Sequence, residues 1–163
     1  MEESKNRSLK ATNKNNMPQS LVKILVHIVF STKDRADLIP PELESGLYGY
    51  IHGIVENNGA KLIIPKGTAN HSHFLVSLGR NDLSELIGDI KRHSSVWMKE
   101  HGCKKFYWQR GYGAFSIGQS QVPKTVSYIR DQKEHHRISS YEDEFRALCR
   151  KYSVEFDEQY VWD

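Results

Sequence analysis

Two histidines separated by one residue, His71 and His73, are the clearest candidates for chemistry in this sequence. They lie in the segment NHSHFLVSL, which becomes apolar after them and is typical of a β-strand. In a strand, residues i and i+2 project to the same face, so the two imidazoles point together. Imidazoles held in this way can bind one divalent ion. The alternative is that they belong to the solvated polar face of a half-buried strand.

A further ligand is expected on the last helix of the predicted core, in the segment PKTVSYIRDQKEHH. At about 100° per residue, Tyr128 and Gln132 lie one turn apart on this helix. His136 continues the line by another turn and is a candidate accessory residue. These three residues form a polar stripe beside the apolar one. The alternative is a solvated helix flank in which Tyr128 covers the edge of the core.

The combination of a tyrosine with a metal site suggests phosphodiester chemistry. A tyrosine oxygen can attack a phosphodiester and form a covalent phosphotyrosine. Because a free tyrosine has a pKa of about 10, it needs help, and a divalent cation on the phosphate supplies it. His71, His73 and the amide oxygen of Gln132 form a neutral ligand set, so the ion keeps its full charge. Mg²⁺ or Mn²⁺ suits phosphate chemistry, and Mn²⁺ suits imidazole better.

Composition limits the class of protein before any fold is considered. The chain has 163 residues, 38% of them hydrophobic and 26% charged, which fits one globular domain with a real core. No apolar run is long enough to cross a membrane, and the N-terminus lacks the apolar core of a secretory signal. Two cysteines are too few for a disulfide framework or a structural zinc site. We therefore predict a cytoplasmic location, and the net charge of +3 is only a weak hint of an anionic partner.

The elements that must position these residues follow from periodicity and turn signals. Residues 1–19 are polar, lack apolar periodicity and are predicted to be a disordered tail, so the folded domain spans residues 20–163. The predicted order is a strand (21–32), a helix from Pro41, two strands (60–65 and 71–78), a helix after Asp82, a strand within 106–118, a helix to about His136 and a short helix near 142–152. This is the split βαβ order, which gives an α+β, ferredoxin-like or RRM-like antiparallel sheet with helices on one face. The opposite face is then expected to be free for a ligand or a partner chain.

Four landmarks in order make the chain resemble a known family. They are LVHIVFSTKDR (residues 25–35), HSH (71–73), YWQRGYGAFSIG (107–118) and VSYIRDQKEHH (126–136). Together they resemble the single-domain transposases of the IS200/IS605 type, the Y1 group of HUH endonucleases. The likeness covers nearly everything from about Pro18 onward. One departure is Ser72, where the family often carries a larger apolar residue.

The resemblance implies a fold and a reaction. It implies a ferredoxin-like domain from a prokaryotic cell that acts as a homodimer on hairpins in single-stranded DNA. It implies cleavage by Tyr128, which leaves a 5′-phosphotyrosine link and a free 3′-OH, and rejoining by attack of a 3′-OH on that link. His71 and His73 are then the metal pair and Gln132 the third ligand. In this family the tyrosine helix can complete the partner's site, so composite active sites are expected.

Binding of single-stranded DNA requires cations for phosphates and groups for unpaired bases. Three clusters are candidates, and for each the alternative is a solvated charged surface: Lys33 and Arg35; Lys91 and Arg92, with His93; Lys104 and Lys105, beside Phe106, Tyr107 and Trp108.

Two other functions are compatible with parts of the sequence. The first is a non-catalytic protein that binds single-stranded nucleic acid and derives from a transposase. It would not need His71, His73, Tyr128 and Gln132 together. The second is a metal-dependent hydrolase with water as nucleophile, which gives Tyr128 no task.

Overall fold

The structure is a computed structural model that describes residues 19–163. The predicted tail, residues 1–19, lies outside the described residues except for Gln19. The elements are β1 (Leu25–Ser31), α1 (Pro41–Asn57), β2 (Lys61–Gly67), β3 (His71–Ser77), α2 (Leu83–Glu100), β4 (Gly113–Ile117), α3 (Val122–Arg130), α4 (Gln132–His135) and α5 (Tyr141–Lys151). Two single-turn 3₁₀ helices, Lys33–Arg35 and Gln119–Gln121, precede α1 and α3. Among the described residues, no helix is long and apolar enough to cross a membrane.

The four strands form one antiparallel sheet in the order β2-β3-β1-β4. This is the strand order of the split βαβ fold, so the predicted α+β, ferredoxin-like architecture is confirmed. The first strand begins at Leu25 and not at Leu21, whose side chain is 83% exposed. In the central pair, Val29 lies opposite His73 and Ser31 lies opposite His71. The register therefore places both histidines next to the middle of the sheet.

One face of the sheet packs against α1 and α2, as predicted. Ile28, Phe30 and Phe74 are fully buried there, and each contributes about 2 kcal/mol of hydrophobic stabilisation. Helix α1 starts at Pro41, whose fixed φ suits the first turn. Helix α2 starts after Asp82, whose side chain accepts a hydrogen bond of 2.9 Å from the backbone N–H of Glu85. The predicted N-cap is thus present and fixes the start of α2.

The opposite face is not free, and this expectation is wrong. Ile129 of α3 packs against Leu25 and Leu75, and Phe145 of α5 packs against Val29. The reason is visible in β1, all seven residues of which are buried. A strand that is apolar on both faces needs cover on both. The covering helices come from the same chain, and they enclose the two histidines.

The last core helix is also shorter than predicted. It ends at Arg130, since Asp131 leaves the helical conformation with φ −93° and ψ 23°, and the short α4 follows. Tyr128 and Gln132 therefore do not lie on one continuous helix. The turn still keeps them together, because the side-chain N–H of Gln132 donates to the carbonyl of Tyr128 over 3.4 Å.

Candidate active site

His71 and His73 project from β3 toward the layer formed by α3, α4 and α5. Both side chains are fully buried, so the alternative of a solvated strand face is wrong. Their ring centroids are 5.3 Å apart. The predicted common orientation follows from the two-residue period of the strand. A buried pair of imidazoles requires a defined partner for each ring nitrogen.

The tautomer of His71 is set by Asn70. Nδ1 of His71 is 2.7 Å from Oδ1 of Asn70, and the Asn70 amide is oriented by a 3.3 Å hydrogen bond from its Nδ2 to the carbonyl of Arg35. With Oδ1 of Asn70 as its acceptor, Nδ1 is assigned the hydrogen. Burial, and then the neighbouring His73 and His136, lower the pKa of His71 to about 3, so the ring is neutral near pH 7. Its Nε2 consequently presents a lone pair.

That lone pair faces two further oxygen acceptors. Nε2 of His71 is 3.3 Å from Oε1 of Gln132 and 3.7 Å from Oε1 of Glu144. The Gln132 amide is oriented by its hydrogen bond to the carbonyl of Tyr128, which directs Oε1 and not the NH₂ group at His71. A bare ring nitrogen and two oxygens with no hydrogen between them repel one another unless a cation lies among them. This is the arrangement of a metal site.

Glu144 lies at the centre of the site, and the sequence analysis missed it. Its Oε1 is 2.8 Å from Nε2 of His73 and 3.3 Å from Nε2 of His136. Its Oε2 accepts a hydrogen bond of 2.5 Å from the hydroxyl of Tyr128. Burial raises the pKa of Glu144, but hydrogen bonds from His136, His73 and Tyr128 outweigh it and leave that pKa well below its usual range. The carboxylate is thus ionised and joins the histidines to the tyrosine.

A signal for Glu144 does exist in the sequence. It lies within the apolar stripe of α5, together with Tyr141, Phe145 and Leu148, and only 7% of it is exposed. An acidic residue on the buried face of an amphipathic helix is rare unless it is paired. Its partners come from other elements, so the pattern indicates a functional carboxylate without saying where it acts.

His27 of β1 is the second site residue that the sequence analysis missed. Its Nε2 is 2.8 Å from Nδ1 of His73, and the contact holds the His73 ring with Nε2 toward Glu144. Burial, and then the neighbouring His73, lower the pKa of His27 to about 3. His27 contacts Nδ1 of His73, the same ring nitrogen through which Asn70 orients His71. Partners of this kind fix the tautomer and direction of metal-binding histidines.

His136 joins the cluster although the helix breaks before it. Its ring centroid is 4.1 Å from that of His71. The candidate ligand atoms of His71, His73, His136 and Glu144 all lie within 4.8 Å of one another. Ligands on opposite sides of one ion are separated by about 4–5 Å. The side chains present therefore fit a single divalent cation.

Tyr128 lies at the edge of this cluster. Burial, together with the charge of Glu144 and its hydrogen bond, raises the pKa of Tyr128 above its ordinary value. The neutral hydroxyl is thus held beside the metal-binding side chains by a carboxylate. Tyr128 also lines a cleft of about 680 Å³ between α3 and α5, through which the site can be reached.

Ser72, the departure from the family pattern, has a defined place behind the histidines. Its hydroxyl is 2.9 Å from that of Tyr48 on α1, and both residues are buried. Gly67 makes this contact possible. A Cβ at position 67 would lie 2.1 Å from the carbonyl oxygen of His71 and 2.6 Å from the Tyr48 hydroxyl. A buried hydrogen bond between Tyr48 and Ser72 thus lies behind the two histidines.

The candidate DNA-binding residues have different environments. Lys91 is half-buried and donates to the carbonyls of residues 109, 110 and 111 at 2.9, 3.0 and 2.6 Å, which ties α2 to the loop before β4. Arg35 forms an ion pair of 2.7 Å with Glu142, and Arg92 pairs with Asp89. Lys33, Lys104 and Lys105 are exposed. The neighbouring Phe106 and Trp108 belong to the core, whereas Tyr107 is 53% exposed.

The chain is similar to known proteins in sequence and in structure. The family model described as "Transposase IS200 like" matches residues 20–132. No curated protein sequence shows a significant match.

Two solved structures share the fold. One is described as a transposase from Deinococcus radiodurans R1, with 17% identity and a TM-score of 0.58 over 72% of this chain and 97% of that one. The other is a REP-associated tyrosine transposase bound to a REP hairpin, with 16% identity and a TM-score of 0.56 over 75% of this chain and 74% of that one.

Proposed function

The chain belongs to the family of IS200-like transposases, and we propose that it cuts and rejoins single-stranded DNA through a covalent bond to Tyr128. The observation that carries this proposal is the hydrogen bond from the Tyr128 hydroxyl to Glu144, inside the cluster that contains His71 and His73. It supports the proposal because it holds a candidate nucleophile beside a candidate cation site. A tyrosine that only covered the core edge would not need these partners.

In the proposed cleavage step, the oxygen of Tyr128 attacks the phosphorus of a phosphodiester. The bond from phosphorus to the 3′ oxygen breaks, and that oxygen takes up a proton and becomes a free 3′-OH. The fragment on the 3′ side of the break becomes bonded to the tyrosine through its 5′-phosphate, as a phosphotyrosine. The hydrogen of Tyr128 points at Oε2 of Glu144, which is the nearest acceptor for it. Rejoining is the reverse, with a 3′-OH as nucleophile and the tyrosine oxygen as leaving group.

We propose that a divalent cation, Mg²⁺ or Mn²⁺, is held by His71, His73 and Gln132 with Glu144 as a fourth ligand and His136 as an accessory. The mixed nitrogen and oxygen donors suit Mn²⁺. When bound, the cation polarises the phosphate and stabilises the leaving oxygen. This set differs from the neutral one inferred from the sequence, because Glu144 adds a negative charge.

The family match ends at Gln132, yet the proposed catalytic domain spans residues 20–163, since α5 supplies the carboxylate of Glu144.

The substrate we propose is single-stranded DNA with hairpins at the ends of an element. The hairpin-bound neighbour of the same fold supports this choice. Lys33, Lys104 and Lys105 are the proposed phosphate contacts, and Tyr107 is an exposed ring on which a base can stack.

Each site is proposed to act in cis, because the proposed nucleophile and the histidines meet within one chain. The homodimer stays a prediction, which light scattering would test, and mixing of His71 and Tyr128 variants would distinguish this cis arrangement from the composite sites that the resemblance implies.

A denaturing gel tests the proposal. Labelled single-stranded oligonucleotides, taken from imperfect palindromes that flank the gene, are incubated with the protein and Mn²⁺. We expect a protein–DNA adduct that is absent in Tyr128→Phe. Cleavage that survives Tyr128→Phe would favour a hydrolase with water as nucleophile. Binding without any cleavage would favour the non-catalytic binding protein.

A further inference from the structure

The cleft between α3 and α5 has features that the proposed strand transfer alone does not explain. It has a volume of about 680 Å³, and its lining includes Tyr128, Glu144 and His27 from the candidate site. The remaining walls come from the end of β4, the turn before α3, α3, residues 135–139 and α5. We propose that this cleft binds a nucleoside of single-stranded DNA, the one joined to the phosphate that Tyr128 attacks. The inference rests on the proposed function and names a subsite within it.

The walls of the cleft suit the faces of a nucleobase. Ile117 and Leu148 provide apolar surface, and Tyr152 adds an aromatic ring that is stacked on Phe115 with centroids 4.9 Å apart. Bases bind single-strand sites mainly through apolar and aromatic contacts with their flat faces. The volume lies in the range of small-molecule pockets, about 300–1,000 Å³. The cleft therefore has room for a nucleotide.

Polar groups in the same cleft match the edges of a base. The side chains of Ser116, Gln121 and Thr125 line it, and each can donate and accept hydrogen bonds. A pocket with apolar walls and a few polar groups is the usual form of a site that orients a small ligand. Which base is preferred depends on these three residues, and the binding experiment below ranks the four bases.

The charge of the cleft suits a phosphodiester. Lys124 and Lys151 line it, both are exposed, and neither makes an ion pair within residues 19–163. The two acidic residues of the lining are already engaged: Asp143 pairs with Arg146 at 3.1 Å, and Glu144 accepts hydrogen bonds from His73 and Tyr128. Lys124 and Lys151 are therefore available to a phosphate at the cleft. A nucleoside with its phosphate toward Tyr128 would satisfy both the walls and the lysines.

The inference can be tested without any cleavage. Ligand-observed NMR and calorimetry measure how the four deoxynucleoside 5′-monophosphates bind. Ala147 lines the cleft on α5, and Ala147→Trp fills it. We expect at least one monophosphate to bind and this variant to weaken it by about tenfold or more, in line with the loss of one base stack. The matched control is Val96→Trp, on an exposed face of α2 outside the cleft, which should bind like the original chain.

Several results would overturn the inference. Equal binding by inorganic phosphate would mean that the lysines hold phosphate and that there is no base subsite. Unchanged monophosphate binding in Ala147→Trp would mean that the nucleotide binds elsewhere. If that variant fails to fold, Ser116→Trp fills the cleft from β4, and the same criteria apply. An adduct on Tyr128 without monophosphate binding would refute only the proposed nucleoside subsite. Monophosphate binding without an adduct would refute the proposed strand transfer instead.

Discussion

The hydroxyl of Tyr128 donates a hydrogen bond to Oε2 of Glu144 over 2.5 Å, although the two residues lie on different helices. The other oxygen of the same carboxylate is 2.8 Å from Nε2 of His73. One carboxylate therefore links the proposed nucleophile to the proposed metal site. Any displacement of α5 moves both contacts together. The catalytic role that we assign to Tyr128 thus depends on a residue of the last helix.

Glu144→Gln should weaken Mn²⁺ binding by at least about tenfold, since it keeps the shape of the side chain and removes the charge of the fourth ligand. Titration calorimetry with Mn²⁺ measures this effect. Glu142→Gln on the same helix is the control, because Glu142 pairs with Arg35 outside the cluster. Unchanged Mn²⁺ affinity in Glu144→Gln would show that the carboxylate is not a ligand.

His27→Phe should lower Mn²⁺ affinity by about 10–100-fold, although His27 is not a proposed ligand. The phenyl ring fills the same space but cannot hydrogen bond to Nδ1 of His73, so the ligand loses its fixed orientation. His93→Phe is the matched control, since His93 is exposed on α2. Equal affinities of both variants would contradict the positioning role of His27.

The stability of the metal-free protein should fall between pH 6.5 and 5. His27 and His71 have pKa values lowered to about 3 in the folded chain, against about 6.5 when unfolded. The unfolded chain therefore takes up protons first. As a result, the free energy of unfolding falls by about 2 kcal/mol for each histidine by pH 5. The depressed pKa of Glu144 matters only below about pH 4.5, where its carboxylate protonates in the unfolded chain.

Urea unfolding in the presence of a chelator, at pH 7.5 and pH 5, measures this loss. His27→Phe should remove one of the two contributions and flatten the pH dependence. A free energy of unfolding that is the same at both pH values would mean that the two histidines are not buried as neutral rings.

Lys91→Met should destabilise the fold by about 2 kcal/mol, since three carbonyls of the loop before β4 lose their donor. Lys105→Ala, at an exposed position, should change stability by less than about 0.5 kcal/mol and weaken binding of single-stranded DNA instead. Thermal unfolding and salt-dependent binding separate the two effects. A Lys91 variant that is stable but defective in DNA binding would reverse these assignments.

The sequence predicted the parts of the site that depend on local periodicity. The two-residue period of a strand placed His71 and His73 on one face. Gln132 also lies next to Tyr128, although the predicted helix breaks between them, because its side chain donates to the carbonyl of Tyr128. Glu144 and His27 were missed because their roles come from packing between distant elements. His27 lies 46 residues from His73, and Glu144 lies 71 residues from it. No local period encodes such contacts.

The cover of the second sheet face was also missed. The split βαβ order predicts helices on one face, and it says nothing of elements that follow the last strand. The apolar second face of β1, with Leu25 and Val29, was the available signal that α3 and α5 would return to the sheet. Strand order was therefore predictable from local patterns, whereas the enclosure of the histidines was not.

The most direct measurement of the central claim is mass spectrometry of the protein–DNA adduct. After reaction with a hairpin-bearing single-stranded oligonucleotide and Mn²⁺, the protein is digested with nuclease and trypsin. We predict a nucleotide bonded through its 5′-phosphate to Tyr128, in the tryptic peptide TVSYIR of residues 125–130. An adduct on any other residue, or cleaved DNA with a 5′-phosphate and no adduct on this peptide, would contradict it.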